Sequence, residues 1–226
     1  MKKIVFKNSL NQKLVGNLID CGKDFIVVHC HGYGANKESK TATSLQRKLE
    51  DSNISSFTFD FSDSGESECK KEDLTVSAGI DGLNSAIQYL KNLGFHKFAL
   101  SGSSFGGNVV LNYIVNDKTI IAAVLKAPVS DWESINVSRD DELSTSKFLD
   151  DAKKYTIYSK AKNIICPVLI FHGDIDEIVP IEQSKKTCSL ISRCHLNIVK
   201  GSNHKLADHI DDLTSEATKF FKENKK

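Results

Sequence analysis

The stretch "KFALSGSSFGG", residues 97–107, joins a short apolar run to a turn framed by glycines. An apolar run of this kind is typical of a strand that is buried on both faces of a parallel sheet. Gly102, Ser104 and Gly106 follow the pattern Gly-x-Ser-x-Gly. Glycines two positions before and after the serine remove side chains that would collide in a sharp turn. The stretch therefore predicts a strand, a tight turn that carries Ser104, and a helix that begins directly after it.

The same alternation of strand and helix extends along the chain in both directions. Apolar runs that are typical of strands recur at residues 25–30, 54–59, 120–128, 167–173 and 195–201. Helical periodicity separates them, most clearly over residues 76–93, where Gly94 is expected to end the helix. Strands that alternate with helices predict βαβ units, and thus a mostly parallel sheet with helices on both faces.

Two parts of the chain depart from this alternation. At the N-terminus, the runs "KIVFKNS" and "KLVGNLID" are separated by the turn-prone "LNQ" and predict an antiparallel hairpin. Residues 129–163 are polar and charged, and they predict a small, mostly helical insertion after the sixth strand. We expect residues 1–226 to form a single domain that contains this insertion.

The composition is that of an ordinary globular protein. The chain has 226 residues, of which 30 are basic and 29 are acidic. This balance gives no electrostatic reason to expect binding to nucleic acid or to an anionic membrane. No run reaches the roughly 18 apolar residues of a membrane-spanning helix, and the N-terminus does not resemble a signal peptide. We therefore expect a cytoplasmic protein whose six cysteines are reduced. The sequence leaves the oligomeric state open between monomer and homodimer.

Polar side chains that could support catalysis follow several of the predicted strands. In a parallel α/β sheet, ligands bind outside the carboxyl ends of the strands. His204 follows the last strand, and Asp174 and Asp176 follow the strand before it. A nucleophilic serine needs a base, and the base needs an orienting acid. The order of Ser104, an aspartate and His204 is the one that accompanies a Gly-x-Ser-x-Gly turn, and either aspartate could be the acid.

The stretch "HCHGYG", residues 29–34, allows two interpretations. His29, Cys30 and His31 carry metal-binding side chains, and alternation along a strand places the two histidines on one face. The two glycines indicate instead a loop whose backbone approaches a ligand.

Five motifs together resemble those of the α/β-hydrolase superfamily. More narrowly, they are similar to its small serine esterases, the cinnamoyl or feruloyl esterase and monoacylglycerol lipase-like group, and to serine aminopeptidase-like hydrolases. The motifs are "HGYGANKES", "DFSDSGES", "GSSFGG", "HGDIDEIVP" and "GSNH". They occur in the family's order and cover nearly the whole chain. The second motif departs from the family pattern because it lacks the usual Gly-His-Gly core.

This resemblance implies an α/β-hydrolase fold, with an eight-stranded, mostly parallel sheet, an N-terminal antiparallel hairpin and helices on both faces. It implies that residues 129–163 form a small cap over the active site. It also implies that Ser104 is the nucleophile and His204 the base, and it selects Asp176 over Asp174 as the acid.

The backbone N–H groups of Tyr33 and Phe105 are then expected to form the oxyanion hole. In this interpretation His31 braces the loop, and Gly32 and Gly34 let its backbone approach the substrate. The loop contributes amides, and no metal or organic cofactor is required.

The sequence thus predicts a serine hydrolase that cleaves short to medium acyl or aryl esters through an acyl-enzyme. Tyr33, Trp132 and Phe148 are expected to line the pocket for the small-molecule ester. Tyr155 and Tyr158 are further candidate walls, and the aromatic residues of the cap could instead only anchor it to the sheet.

Four other functions are compatible with these residues. A thioesterase or an aminopeptidase would use the same three catalytic side chains, and Asp140, Asp141 and Glu142 could bind the amine of a peptide. A non-catalytic binding protein could share the fold, although the intact serine, aspartate and histidine argue against it. A metal-dependent hydrolase would depend on His29 and His31.

Overall fold

The structure is a computed structural model that describes residues 1–62, 64–68, 73–135 and 146–225. Its strands are β1 (Lys2–Lys7), β2 (Lys13–Ile19), β3 (Ile26–Cys30), β4 (Ser55–Phe59), β5 (Phe98–Ser103), β6 (Ile120–Lys126), β7 (Val168–Gly173) and β8 (Cys194–Val199). They form one sheet in the order β1-β2-β4-β3-β5-β6-β7-β8. The pairs β1–β2 and β2–β4 are antiparallel, and the other pairs are parallel. The predicted α/β-hydrolase fold with its N-terminal hairpin is confirmed.

Helices cover both faces of this sheet. They are α1 (Lys40–Asp51), α2 (Val76–Asn92), α3 (Phe105–Asn116), α4 (Ser146–Ala152), α5 (Ile181–Leu190) and α6 (Ile210–Asn224). Neighbouring residues of a strand point to opposite faces, so Val27 and Val28 of β3 belong to two separate apolar clusters. The cluster of Val27 includes side chains of α1 and α6, and the cluster of Val28 includes side chains of α2 and α3.

Capping residues explain where several helices begin and end. Ser39 and Thr75 precede α1 and α2, and each side chain accepts a hydrogen bond from the first turn of its helix. Gly94 follows α2 with a φ of 94°, as expected for a glycine that ends a helix. The last helix begins at Ile210, directly after a 3₁₀ turn at Ala207–His209. Leu206 has a left-handed φ of 48°, which separates the preceding loop from the helix.

The described part of the segment 129–163 is mostly helical, as predicted. It contains α4 and short 3₁₀ turns at Trp132–Ser134, Lys153–Tyr155 and Ala161–Asn163. The carboxylate of Asp151 accepts hydrogen bonds from the backbone N and the Oγ of Ser77, at 2.9 and 2.6 Å. The side-chain amides of Asn108 and Asn112 both donate to the Tyr155 carbonyl at 3.1 Å. The segment is thereby fixed to α2 and α3, while its designation as a cap within a single domain stays a prediction.

Several predicted features fall outside the described residues. They are Asp63 of the second motif, Cys69, and the three acidic residues Asp140, Asp141 and Glu142. Among the helices that the structure describes, none is both long enough and apolar enough to span a bilayer.

The expectation of six reduced cysteines is wrong for one pair. Cys188, near the end of α5, and Cys194, at the start of β8, form a disulfide. Their Cα atoms lie 5.2 Å apart, within the range that a disulfide requires. Cys21, Cys30 and Cys166 are free. The cytoplasmic location stays a prediction.

Candidate active site

Ser104 occupies a strained turn between β5 and α3. Its φ of 50° and ψ of −113° lie in a region that residues other than glycine rarely adopt. Three hydrogen bonds hold the backbone in this conformation. The Ser104 N–H donates to the Lys126 carbonyl at 2.9 Å, and the Ser104 carbonyl accepts from the N–H groups of Asn108 and Val129 at 3.1 and 3.2 Å.

The two framing glycines are needed because the backbone is crowded on both sides of this turn. A Cβ atom on Gly102 would lie 2.5 Å from the carbonyl oxygen of Gly106. A Cβ atom on Gly106 would overlap the carbonyl oxygens of Cys30 and His31 at the end of β3. The glycine pattern therefore packs the turn against the loop that follows β3.

The structure brings Ser104, His204 and Asp176 together in one hydrogen-bonded chain. His204 lies in the loop between β8 and α6, and its Nε2 is 3.0 Å from the Oγ of Ser104. Its Nδ1 is 2.7 Å from the Oδ2 of Asp176. With Nδ1 donating to the carboxylate, Nε2 is left to accept the hydrogen bond of the serine hydroxyl.

The side chain of Asp176 is fully buried, and donors hold both of its carboxylate oxygens. Its Oδ1 accepts the N–H groups of Ile178 and Val179 at 3.0 and 2.9 Å. Its Oδ2 lies 3.0 Å from Nε2 of His172, in addition to its bond with His204. Burial alone would raise the pKa of Asp176, but the hydrogen bonds from the two histidines outweigh it and hold the pKa well below its usual range. The carboxylate is therefore ionised at neutral pH.

His172 is a site residue that the sequence reasoning missed. Its side chain is fully buried, and its Nδ1 lies 2.6 Å from the Oγ of Ser184 in α5. Its Nε2 also lies 3.0 Å from the Val179 carbonyl, so Nε2 carries the proton and donates while Nδ1 accepts. His172 thus fixes the position of Asp176. It stands in the quoted motif "HGDIDEIVP", which is the signal that could have identified it.

Asp174, the other candidate acid, binds the backbone of the neighbouring loop. Its Oδ1 accepts the backbone N–H of Gly201 at 2.6 Å, which joins the loop after β7 to the loop after β8. The two loops also touch at Gly173, where an added Cβ would overlap the Ser202 carbonyl. Asp174 therefore fixes the loop that carries His204, and Asp176 contacts His204 itself.

Lys126 also contacts the loop that carries His204. It ends β6, and its half-buried Nζ donates to the Lys205 carbonyl at 3.1 Å. Burial lowers the pKa of Lys126 to about 8, although the negative charge of Asp176 acts in the opposite direction. A lysine that ends an otherwise apolar strand is the only hint of this contact in the sequence.

The loop after β3, which carries Tyr33, passes within van der Waals distance of Ser104. A Cβ atom on Gly32 would lie 3.5 Å from the Cβ of Ser104. His31 is buried and braces this loop, because its Nδ1 lies 2.7 Å from the Gly32 carbonyl and its Nε2 accepts the Phe61 N–H at 3.1 Å. Burial lowers the pKa of His31, so the ring is neutral at pH 7.

The alternative of a metal site at His29 and His31 finds no support in this geometry. The Nδ1 of His29 lies 3.0 Å from the Oγ of Ser101. The Nδ1 and Nε2 of His31 are both engaged with the backbone. Across the described ranges, no group of three or more His, Cys, Asp or Glu side chains is placed to hold a metal ion.

A partly buried ion cluster fixes the far end of the same loop. Lys37 is only 4% exposed, and its Nζ lies 2.8 Å from Asp60 and 2.9 Å from Glu66. The Lys37 N–H donates to the other oxygen of Asp60 at 2.7 Å. Gly65, the remaining glycine of the second motif, has a φ of 53° and leaves no room for a Cβ beside Asp60. The missing Gly-His-Gly core therefore does not prevent the two loops from being joined.

Aromatic side chains cluster around Phe105, the residue that directly follows Ser104. The ring centroids of Phe105 and Trp132 lie 6.2 Å apart, and Phe148 of α4 packs between them and Tyr33, at 5.2 Å from Trp132 and 6.3 Å from Tyr33. Trp132 and Phe148 are 5% and 3% exposed. These four residues, Tyr33, Phe105, Trp132 and Phe148, form what we call the aromatic cluster.

The other two predicted pocket walls point elsewhere. The Tyr155 hydroxyl lies 2.7 Å from the Oγ of Ser77 at the start of α2. The ring of Tyr158 lies under the ammonium group of Lys186, at 3.8 Å. Both tyrosines therefore anchor the inserted segment.

Comparison with known proteins places the fold and the family. Est1E from Butyrivibrio proteoclasticus, solved with bound ferulic acid, superposes with a TM-score of 0.88 at 20% identity over 98% of each chain. The uncharacterized protein YfhR of Salmonella typhi is 26% identical over 215 residues, which cover 87% of this chain and 68% of YfhR. The mitochondrial palmitoyl-protein thioesterase ABHD10 of Rattus norvegicus is 21% identical over 217 residues, 84% of this chain and 72% of that protein.

These similarities confirm the α/β-hydrolase superfamily that the motifs indicated. The model of the prolyl oligopeptidase family matches residues 61–226, a range that includes Ser104, Asp176 and His204. Because this match covers most of the sequence, the chain belongs to the prolyl oligopeptidase family.

Proposed function

We propose that the protein is a serine hydrolase that cleaves carboxylic esters with short to medium acyl or aryl groups. The observation that carries the proposal is the continuous hydrogen-bonded chain from Ser104 Oγ through His204 to the buried carboxylate of Asp176. A serine hydroxyl becomes an effective nucleophile when a neutral imidazole accepts its proton and a fixed carboxylate orients that imidazole.

The proposed reaction has two halves. In the first, His204 Nε2 removes the Ser104 proton while Oγ attacks the ester carbonyl, and the imidazolium then protonates the leaving alcohol. In the second, His204 activates a water that attacks the acyl-enzyme and releases the acid. Asp176 stabilises the imidazolium in both halves because its carboxylate is held ionised.

The backbone N–H groups of Phe105 and Tyr33 are proposed to bind the oxyanion. Phe105 is the first residue of α3, where the amide has no partner within the helix and the helix dipole favours negative charge. The loop of Tyr33 lies beside Ser104, where His31 and Gly32 position it. Each such donor is typically worth about 3 kcal/mol in the transition state. The reaction uses side chains and amides of this chain, and it requires no metal or organic cofactor.

The substrate is proposed to be a small-molecule ester whose acyl group reaches the aromatic cluster. A second candidate function is hydrolysis of a thioester or a peptide by the same three residues. Family membership favours the peptide, and the similarity to a named thioesterase favours the thioester. Parallel assays with p-nitrophenyl esters, acyl thioesters and aminoacyl p-nitroanilides separate these activities. A preference for acyl chains beyond about ten carbons would contradict the proposed short to medium range.

Labelling with a fluorophosphonate tests the nucleophile. We expect the wild type and the control variant Ser103→Ala to be labelled and Ser104→Ala to stay unlabelled, because only Ser104 is activated by His204. An unlabelled wild type would contradict a catalytic serine and favour a binding protein. Equal labelling of Ser104→Ala would show that another serine is the nucleophile.

A further inference from the structure

Three buried side-chain atoms of the described residues have no hydrogen-bond partner: His29 Nε2, Ser103 Oγ and Trp132 Nε1. A buried polar atom without a partner destabilises the fold, so each such atom needs an explanation. Strand alternation places His29 and Ser103 on the sheet face that α1 and α6 cover. Trp132 differs from them because it belongs to the aromatic cluster beside Ser104.

The peptide around Trp132 is otherwise well satisfied. The side-chain oxygen of Gln183 accepts the N–H groups of Ser130 and Asp131 at 2.7 and 3.0 Å, and its nitrogen donates to the Asp131 carbonyl at 2.8 Å. The Oγ of Ser130 accepts from Thr187 at 2.7 Å. The indole is thus held on a rigid support, and its single donor remains unused.

The unused donor belongs to the aromatic cluster that adjoins the turn of Ser104. The indole packs against Phe105, which directly follows Ser104. Val129, which binds the Ser104 carbonyl at 3.2 Å, leads directly into the turn that begins at Trp132. A ligand in the aromatic cluster that carried an acceptor oxygen would satisfy the indole N–H and recover the cost of its burial.

We propose that Trp132 is a specificity-determining residue that selects acyl groups with a hydrogen-bond acceptor, such as an ether oxygen, along the chain. This inference rests on the proposed function, since it assumes that the acyl group enters the aromatic cluster. A site built to donate a hydrogen bond discriminates against an analogue without the acceptor, because the donor then stays unpaired.

The kinetic test compares p-nitrophenyl hexanoate with its 4-oxa and 5-oxa isosteres, in which an ether oxygen replaces one methylene. We expect the wild type to favour one oxa ester, and Trp132→Phe to reduce the oxa-to-parent ratio of kcat/KM about three- to tenfold. Because the intrinsic reactivity of each ester is the same for both proteins, it cancels when the ratio of the wild type is compared with that of the variant. Phe148→Leu is the matched control, because it alters the cluster but keeps the indole N–H, and it should retain the oxa-to-parent ratio of the wild type.

Fluorescence provides a second readout that does not depend on turnover. Trp132 is the only tryptophan of the chain, so the indole emission reports on this site alone. Titration of Ser104→Ala with the corresponding ethyl esters should shift the emission to longer wavelength for the preferred oxa ester and not for ethyl hexanoate. The absence of this shift, or an oxa-to-parent ratio that Trp132→Phe leaves unchanged, would overturn the inference. Failure of the wild type to hydrolyse p-nitrophenyl hexanoate would instead count against the proposed function. The fluorescence titration would still test whether the indole N–H of Trp132 binds the oxa ester.

Discussion

The two sides of Ser104 are built in opposite ways. On the side of His204, the loops after β7 and β8 are joined by directed hydrogen bonds, and the carboxylate of Asp176 accepts hydrogen bonds on both of its oxygens. On the other side, Phe105, Trp132 and Phe148 meet through ring contacts, and the indole N–H has no partner.

This difference separates two requirements of the proposed enzyme. Proton transfer needs fixed distances and one tautomer of each histidine, which hydrogen bonds enforce. Accommodation of an acyl group needs shape and apolar surface, which packed rings supply without strict directions. Substitutions on the polar side should therefore change the rate, and substitutions on the aromatic side should change the choice of substrate.

The largest expected effect comes from Asp176→Asn on the polar side. An amide can donate to His204 Nδ1 and so favour the tautomer in which Nε2 can no longer accept the serine proton. We expect kcat for p-nitrophenyl butyrate to fall about 10⁴-fold, with little change in the far-UV spectrum. Asp174→Asn is the control and should lose far less activity. Equal losses of activity in the two variants would contradict the assignment of Asp176 as the catalytic acid and of Asp174 as a residue that only fixes the loop.

A smaller effect is expected from Asp174→Ala. This variant loses the hydrogen bond to the Gly201 N–H, which is worth about 1 kcal/mol, and frees the loop that carries His204. We expect kcat to fall about tenfold while KM stays near the wild-type value. Asp208→Ala, an exposed position just beyond the same loop, should leave both constants unchanged. A rise in KM alone would indicate that the loop binds substrate and does not position His204.

On the aromatic side, Phe148→Leu should change preference more than rate. The smaller side chain opens space beside Phe105, so longer acyl chains should gain about three- to tenfold in kcat/KM relative to shorter ones. Measurement of a p-nitrophenyl ester series checks this. Phe221→Leu, a fully buried position of the cluster that α1 and α6 cover, should lower stability without changing the preference. If Phe148→Leu lowers kcat/KM equally for all esters, the aromatic side does not select the substrate, and the proposed difference between the two sides is wrong.

The smallest expected effect concerns stability and pH. The pKa of Lys126 is about 8 in the folded protein and 10.5 ordinarily, so the unfolded chain binds more protons between these values. Stability should therefore rise with pH through this window. The full shift corresponds to about 3 kcal/mol, and solvent screening of the half-buried ammonium group reduces the expected gain to on the order of 1 kcal/mol. Urea unfolding at pH 7.5 and pH 10 should show this gain in the wild type and lose it in Lys126→Met. An identical pH dependence in both proteins would show that Lys126 is not buried enough to matter.

The parts of the site that were predictable from sequence depend on local signals. Gly102 and Gly106 frame Ser104 within five residues, and His204 follows directly after a recognisable strand. The sheet was predictable for the same reason, since apolar runs and helical periodicity are local patterns.

What the sequence did not reveal depends on residues that meet only after folding. Lys126 contacts the Lys205 carbonyl across 79 positions of the chain. His172 reaches Asp176 because the loop after β7 turns back over the strand that carries it. The disulfide joins the end of α5 to the start of β8, and neither boundary is marked in the sequence sharply enough to show that the two cysteines meet. The unpartnered indole N–H became visible only once its neighbours were placed.

The left-handed backbone at Ser104 has a consequence for protein engineering. A residue in this region carries on the order of 1–3 kcal/mol of strain, which surrounding hydrogen bonds must offset. Screens that select for melting temperature alone will therefore favour glycine at this position. Glycine removes the strain, but it also removes the nucleophilic hydroxyl. Thermostable versions are better sought far from this turn, with hydrolysis kept as a second criterion in every round of selection.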